Sequence, residues 1–108
     1  MNKLYKDKTT TPFTASALLW GYDQYAIQNL AWDDTEGETC RQIIVADLYE
    51  GGWTILEISE LIDRSASTVT RDIATHEREI WDGNKDYFKG VKAYGEMRDK
   101  IARRGLDY

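Results

Sequence analysis

The chain has little cysteine, proline or histidine, with one residue of each kind among 108. A single cysteine, Cys40, excludes an internal disulfide and a cysteine-based zinc site. Because His76 is the only histidine, a His/Cys metal cluster is excluded as well. The single proline, Pro12, favours a mainly helical chain. No apolar run approaches the length of a membrane-spanning helix and no signal peptide is recognisable, so we expect a cytoplasmic protein without membrane contact.

The features of an enzyme are also missing from the sequence. It has no glycine-rich phosphate loop, no cluster of metal ligands and no nucleophile paired with a base. The neighbouring acids Asp33 and Asp34 fit a solvated acidic loop over residues 33–38, which lacks the spacing of a calcium-binding loop. We therefore predict that the protein is not an enzyme and needs no metal or other cofactor.

The most specific pattern that is present begins with a short helix. Thr54 and Glu57 have the T-x-x-E spacing of a capping box, which predicts the start of a helix over residues 55–62. Asp63 follows at a turn, where the backbone commonly needs a positive φ that Asp tolerates better than most residues. The apolar residues of this helix recur at helical spacing and form one face: Ile55, Ile58, Leu61 and Ile62.

A second helix is predicted over residues 66–81, with Ser65 as its N-cap and Ser67 as the competing choice. Three apolar residues are expected to face inward: Val69, Ile73 and Ile80. The outer face of the first turns then carries Ser67, Thr68, Thr70 and Arg71. Short hydroxyl side chains let a helix approach phosphates and base edges, and an arginine can bind a phosphate or a guanine with two hydrogen bonds.

Two short helices joined by a tight turn in this way are typical of a helix-turn-helix, whose second helix enters the DNA major groove. An ordinary helical hairpin would show the same caps and apolar faces, and that interpretation stays open at this point. The segment Arg64–Ile73, with the sequence RSASTVTRDI, resembles the helix-turn-helix domains of insertion-sequence transposases, resolvase-type recombinases and small phage regulators. The resemblance covers only a minor part of the chain and leaves no room for a transposase catalytic domain.

The resemblance implies that Arg64 contacts a phosphate near the turn. It also implies that four residues face the groove: Ser67, Thr68, Thr70 and Arg71. The chain departs from the pattern at two positions. Asp63 stands where glycine is usual, and Asp72 places a negative charge beside the arginine.

We predict a single all-α domain over residues 1–108, built around a tri-helical helix-turn-helix core over residues 38–81. Residues 1–12 are expected to form a flexible polar arm, which is either a disordered tail or a basic arm that reaches a neighbouring groove. An added N-terminal helix would begin at Thr14 and run to Trp32, with Gly21 kinking it or dividing it in two. Its aromatic residues are assigned either to the core or to a partner interface: Trp20, Tyr25 and Trp32.

The helix-turn-helix core is predicted to start with a helix over residues 38–50, ended by the glycines at positions 51 and 52. A C-terminal amphipathic helix is predicted over residues 85–104. Its apolar stripe packs either on the core of its own chain or on a second subunit: Tyr87, Phe88, Val91, Tyr94 and Ile101. Because helix-turn-helix proteins commonly work as two-fold dimers, we expect a homodimer.

The net charge of −5 opposes DNA binding, whose affinity is dominated by neutralisation of phosphates. The charge is unevenly distributed, however. Residues 9–63 hold ten acidic residues against Arg41, whereas residues 64–108 hold ten basic residues against eight acidic ones. The basic residues of the last helix include Lys85, Lys89, Lys92 and Arg98. We therefore expect a mildly basic face opposite an acidic one, and weak non-specific binding to DNA.

The leading hypothesis is a sequence-specific protein that binds double-stranded DNA, a small transcriptional regulator of a phage or mobile element. The residues expected at the DNA are Thr54, Arg64, Ser65, Ser67, Thr68, Thr70, Arg71, Lys85 and Lys89. One alternative is a DNA-packaging or recombination accessory factor. Another is a protein-binding module, a host-factor inhibitor or DNA mimic, which would engage a protein partner through the acidic and aromatic N-terminal half.

Overall fold

A computed structural model describes residues 10–104 of the chain, and within this range every regular element is a helix. The elements in chain order are α1 (Thr10–Trp20), α2 (Gln24–Gln28), α3 (Thr35–Glu50), α4 (Ile55–Ile62), α5 (Ala66–Trp81) and α6 (Lys85–Arg104). The predicted all-α fold is confirmed. Among these helices, none is both long enough and apolar enough to cross a bilayer.

The last three helices begin and end at the residues that the sequence predicts, whereas α3 begins earlier. Asp34 is the N-cap of α3, and its carboxylate accepts a hydrogen bond of 2.8 Å from the backbone N–H of Gly37. The same carboxylate accepts hydrogen bonds from the hydroxyl of Tyr22 at 3.0 Å. The prediction of a loop over residues 33–38 is therefore wrong from Thr35 onward. The helix begins there because the Asp34 carboxylate accepts from the Gly37 N–H and is also held by the Tyr22 hydroxyl.

The predicted division of the N-terminal helix at Gly21 is confirmed, since two helices occupy this region, but α1 begins before Thr14 and α2 ends before Trp32. Gly21 ends α1 in the left-handed conformation, with φ of 82°, which glycine adopts without a steric penalty. Asp23 then caps α2 by accepting a hydrogen bond from the N–H of Ala26. Thr14, the predicted cap, lies inside α1.

Part of the predicted N-terminal arm belongs to the fold. Thr11 and Pro12 are buried in the first turn of α1, where a proline removes an N–H that has no partner within the helix. The prediction of a flexible arm is thus wrong for residues 10–12. Its remainder, residues 1–9, lies outside the described residues.

The core is built around α3, which packs against α1, α4 and α5, while α6 packs against α1. Its fully buried side chains include Ile27, Ile44, Val45, Leu48, Ile58, Ile62 and Val69. Trp20 belongs to this core, since its ring stacks on that of Tyr94 with centroids 6.0 Å apart. Most of the predicted α6 stripe is buried in the same core, including Tyr87, Tyr94 and Ile101. Most of the stripe is therefore used within the chain, whereas Phe88 is 57% exposed, and the expected homodimer stays a prediction.

Gly37 allows the segment before α3 to pack closely against the first turn of that helix. A Cβ atom at this position would collide with the side chain of Leu30 and press on the carboxylate of Asp34. We expect Gly37→Ala to lower the free energy of unfolding by about 1–2 kcal/mol, because the collision outweighs the better helix propensity of alanine. Gly95→Ala is the matched control, since a Cβ there meets no atom within 4 Å.

The control should instead raise the free energy of unfolding by about 0.5–1 kcal/mol. Urea denaturation of both variants, followed by circular dichroism, measures the two changes. An equal gain in both variants would contradict the close packing of Leu30 on Gly37.

Candidate nucleic-acid interface

The helices α4 and α5 are joined by a tight turn over residues 63–65. The Thr54 hydroxyl accepts a hydrogen bond from the Glu57 N–H, and the Glu57 carboxylate accepts one of 2.9 Å from the Thr54 N–H, which completes the predicted capping box. Asp63 has φ of 54° and ψ of 50°, the left-handed turn expected there. Ser65, rather than Ser67, caps α5 by accepting a hydrogen bond from the N–H of Thr68.

A buried ion pair fixes α5 against α3. The guanidinium of Arg41 donates two hydrogen bonds to the carboxylate of Asp72, at 2.7 Å and 3.1 Å. The two residues are only 7% and 3% exposed. The sequence places the negative charge of Asp72 beside Arg71, and the structure shows that this carboxylate is paired with Arg41. Asp72 points inward, so its charge is neutralised inside the protein.

The opposite side of α5 is solvent-exposed along its length. We define the outer face of α5 as five exposed residues: Ser67, Thr70, Arg71, Ala74 and Arg78. Their spacing of three or four residues places them on one side of the helix. Ser67, Thr70 and Arg71 were expected on this face from the sequence. Ala74 and Arg78 were not, although the same helical spacing extended through the last turns includes them.

The other expected α5 residues lie at the edges of this face. Thr68 is half-buried, and its hydroxyl lies 3.2 Å from that of Ser65. The hydroxyl of Thr70 donates to the carbonyl of Ala66, so it offers its remaining lone pairs outward. Ile80 is exposed in the last turn, and the prediction that it faces inward is wrong.

The arginines near α5 differ from Arg41 and Arg98, each of which is paired with an aspartate. Arg98, which the sequence assigned to the basic face of α6, donates a hydrogen bond of 2.6 Å to the carboxylate of Asp47. Within the described residues, Arg64, Arg71 and Arg78 form no ion pair. Their guanidinium groups are thus available for an anionic ligand, with Glu77 as the exposed acid on the same helix.

The remaining expected DNA contacts lie apart from the outer face of α5. Thr54 is exposed at the start of α4, where its side chain already serves as the helix cap. Lys85 and Lys89 are exposed on α6, so the structure does not bring them into this face. Their contact with phosphate stays a prediction.

The helices α5 and α6 meet through a hydrogen bond between His76 and Tyr87. The Nδ1 atom of His76 lies 2.9 Å from the hydroxyl of Tyr87. His76 is half-buried. Burial lowers the pKa of His76 and raises the pKa of Tyr87, because it disfavours the charged form of each side chain. The pair therefore links the two helices in its neutral state.

A cleft runs along one flank of α5 beside the outer face. Its volume is about 260 Å³, and we define this flank cleft by five of its lining residues: Trp32, Glu38, Arg64, Thr68 and Arg71. Arg71 belongs to both surfaces. Trp32 was expected in the core or at a partner interface. No pattern in the sequence around it predicts that it lies beside α4 and α5.

Comparison of the chain with protein-family models, curated proteins and solved structures gave no match. The resemblance of its helix-turn-helix to those of transposases, recombinases and phage regulators therefore stays a prediction. What supports a function is the geometry of α5 and its surroundings.

Because Arg41 is buried, removal of its partner should destabilise the protein. We expect Asp72→Asn to lower the free energy of unfolding by about 3 kcal/mol, since it leaves the Arg41 charge without its counter-ion. Asp33→Asn is the control, because Asp33 is an exposed carboxylate of the loop before α3. Urea denaturation measures both, and a loss no larger than that of the control would show that the pair does not hold α5 in place.

Proposed function

We propose that the protein binds double-stranded DNA in a sequence-specific manner, with α5 lying in the major groove. The observation that carries this proposal is the outer face of α5, where small side chains alternate with Arg71 and Arg78, which form no ion pair with any described residue. The two arginines are about 10 Å apart along the helix axis, a distance of about three base pairs. Small neighbours let the helix backbone approach the bases closely, as recognition helices do.

Each residue of the face has a chemical role in this proposal. Arg71 and Arg78 would donate paired hydrogen bonds to guanine, and the methyl group of Ala74 would contact a thymine methyl. The hydroxyls of Ser67, Thr68 and Thr70 would reach further base edges. Phosphates would be held by Thr54, Arg64 and Ser65 near the starts of the two helices, where the helix dipoles favour an anion, and by Lys85 and Lys89 where the duplex extends along α6.

The acidic net charge limits this binding, and Glu77 is an exposed acid on α5 itself. Asp72 and Asp47 are paired with Arg41 and Arg98 inside the protein, so these two carboxylates add little negative field at the surface. Exposed acids further away are screened over a Debye length of about 8 Å at physiological salt. We infer weak non-specific affinity, with base contacts supplying the larger part of specific binding.

We propose that this DNA-binding protein acts in the cytoplasm as a small transcriptional regulator of a phage or mobile element. A dimer on a two-fold site remains part of the proposal. Because most of the apolar stripe of α6 is buried within the chain, a dimer contact on α6 would use its exposed residues, such as Phe88. A packaging or recombination accessory factor would use the same α5 surface within a larger assembly.

A specific surface favours the alternative of a protein partner. Leu18 and Tyr25 are exposed, Tyr25 to 74%, and they line a cleft of about 330 Å³ between α1 and α2. Exposed aromatic and apolar side chains of this kind are enriched at protein interfaces. The alternative predicts no duplex binding even at low salt.

Arg71→Ala tests the proposed DNA contact. Duplexes are first selected from a random-sequence pool with the wild-type protein, and fluorescence anisotropy then gives the dissociation constants. We expect the substitution to weaken binding by about 1–3 kcal/mol, because it removes a base contact. Lys100→Ala is the control, since Lys100 is an exposed cation on α6 outside the proposed site.

The control should bind nearly as tightly as the wild-type protein. Circular dichroism of each variant establishes that it is folded. A folded Arg71→Ala protein with wild-type affinity would count against the assignment of α5 as the recognition helix.

A further inference from the structure

Trp32 is the most exposed large apolar side chain that the structure describes, at 92%. An indole exposed to this degree adds almost nothing to the stability of the fold, because apolar stabilisation scales with the area removed from water. Tryptophan is also the residue type most enriched among side chains that dominate binding energy. The exposed indole of Trp32 is therefore a candidate contact for a ligand or a partner.

The loop that carries Trp32 is held in place at both ends. The side-chain amides of Gln24 and Gln28 in α2 both donate to the carbonyl of Leu61, at 3.0 Å and 2.9 Å, so α2 is fixed to the end of α4. On the other side of the loop, Asp34 caps α3 and Leu30 packs on Gly37. The backbone on either side of Trp32 is thus held beside the turn between α4 and α5, while the indole itself stays exposed.

Trp32 shares the flank cleft with two arginines that have no acidic partner within the described chain, Arg64 and Arg71. The cleft also holds Glu38, while the Arg41 charge beside it is neutralised by Asp72. The balance between two free guanidinium groups and one carboxylate favours an anionic ligand. Because Arg71 belongs to the outer face of α5 as well, this cleft is continuous with the proposed DNA surface.

We propose that Trp32 and Arg64 hold the sugar–phosphate backbone of one DNA strand beside α5. When α5 lies in the major groove, its flanks face the backbones that border the groove. Arg64 would donate to a phosphate oxygen, and the indole of Trp32 would pack against the adjacent deoxyribose with its N–H directed to a phosphate. This inference rests on the proposed function and adds to it a backbone clamp supplied by the α2–α3 loop.

The test compares Trp32→Ala with Tyr25→Ala on the duplex selected by the wild-type protein. Tyr25 is a similarly exposed aromatic residue in α2 that lines a different cleft. We expect Trp32→Ala to weaken binding about tenfold, because it removes a central aromatic contact. Trp32→Phe should keep most of the affinity, and Tyr25→Ala should bind as the wild type does. Neither exposed residue supports the core, so folded variants are expected.

A spectroscopic readout locates the contact independently of affinity. The chain has four tryptophans, so 5-fluorotryptophan labelling gives four ¹⁹F signals, which Trp→Phe variants assign. We expect the Trp32 signal to shift on addition of the selected duplex.

Two other outcomes overturn the inference in distinguishable ways. The first is that the wild-type protein binds the duplex, Arg71→Ala weakens it, and Trp32→Ala has no effect while the Trp32 signal stays unchanged. This result would show that Trp32 does not contact the DNA, and it would leave the proposed function intact. The second is that the wild-type protein selects no duplex at low salt, in which case the proposed function itself fails and the clamp fails with it.

Discussion

The buried ion pair between Arg41 and Asp72 determines which side of α5 faces the solvent. Successive residues of a helix point about 100° apart, so a rotation by one residue that brought Arg71 inward would turn Asp72 away from Arg41. Two hydrogen bonds from one guanidinium tolerate little rotation, and an unpaired buried charge is strongly destabilising. The same interaction therefore supports the fold and leaves arginine and small side chains on the outer face of α5.

The other polar links act at the points where helices meet. Tyr94 and Arg98 of α6 both donate to the carboxylate of Asp47 in α3, at 2.6 Å each. Desolvation raises the pKa of Asp47, whereas these hydrogen bonds favour its charged form. Such links neutralise acidic residues inside the protein, and the arginines around α5 stay free of partners in the described chain. This distribution is how an acidic protein can present a surface suited to DNA.

The parts of the fold that the sequence predicted are those that depend on local chemistry. The capping box at Thr54, the left-handed turn at Asp63 and the N-cap at Ser65 each involve residues a few positions apart, so α4 and α5 were predicted with their observed bounds. The role of Asp72 depends on Arg41, which is 31 residues away. The position of the loop that carries Trp32 likewise depends on hydrogen bonds that join α2 to α4. Neither of these long-range pairings produces a periodic pattern in the sequence.

Protection of guanine N7 from dimethyl sulfate on the selected duplex tests the central claim most directly, because N7 lies in the major groove. If α5 occupies that groove, the protein should protect guanines within a run of roughly four base pairs for each bound chain. Binding that leaves every guanine N7 accessible would contradict the account, since the duplex would then be held by a surface other than the outer face of α5.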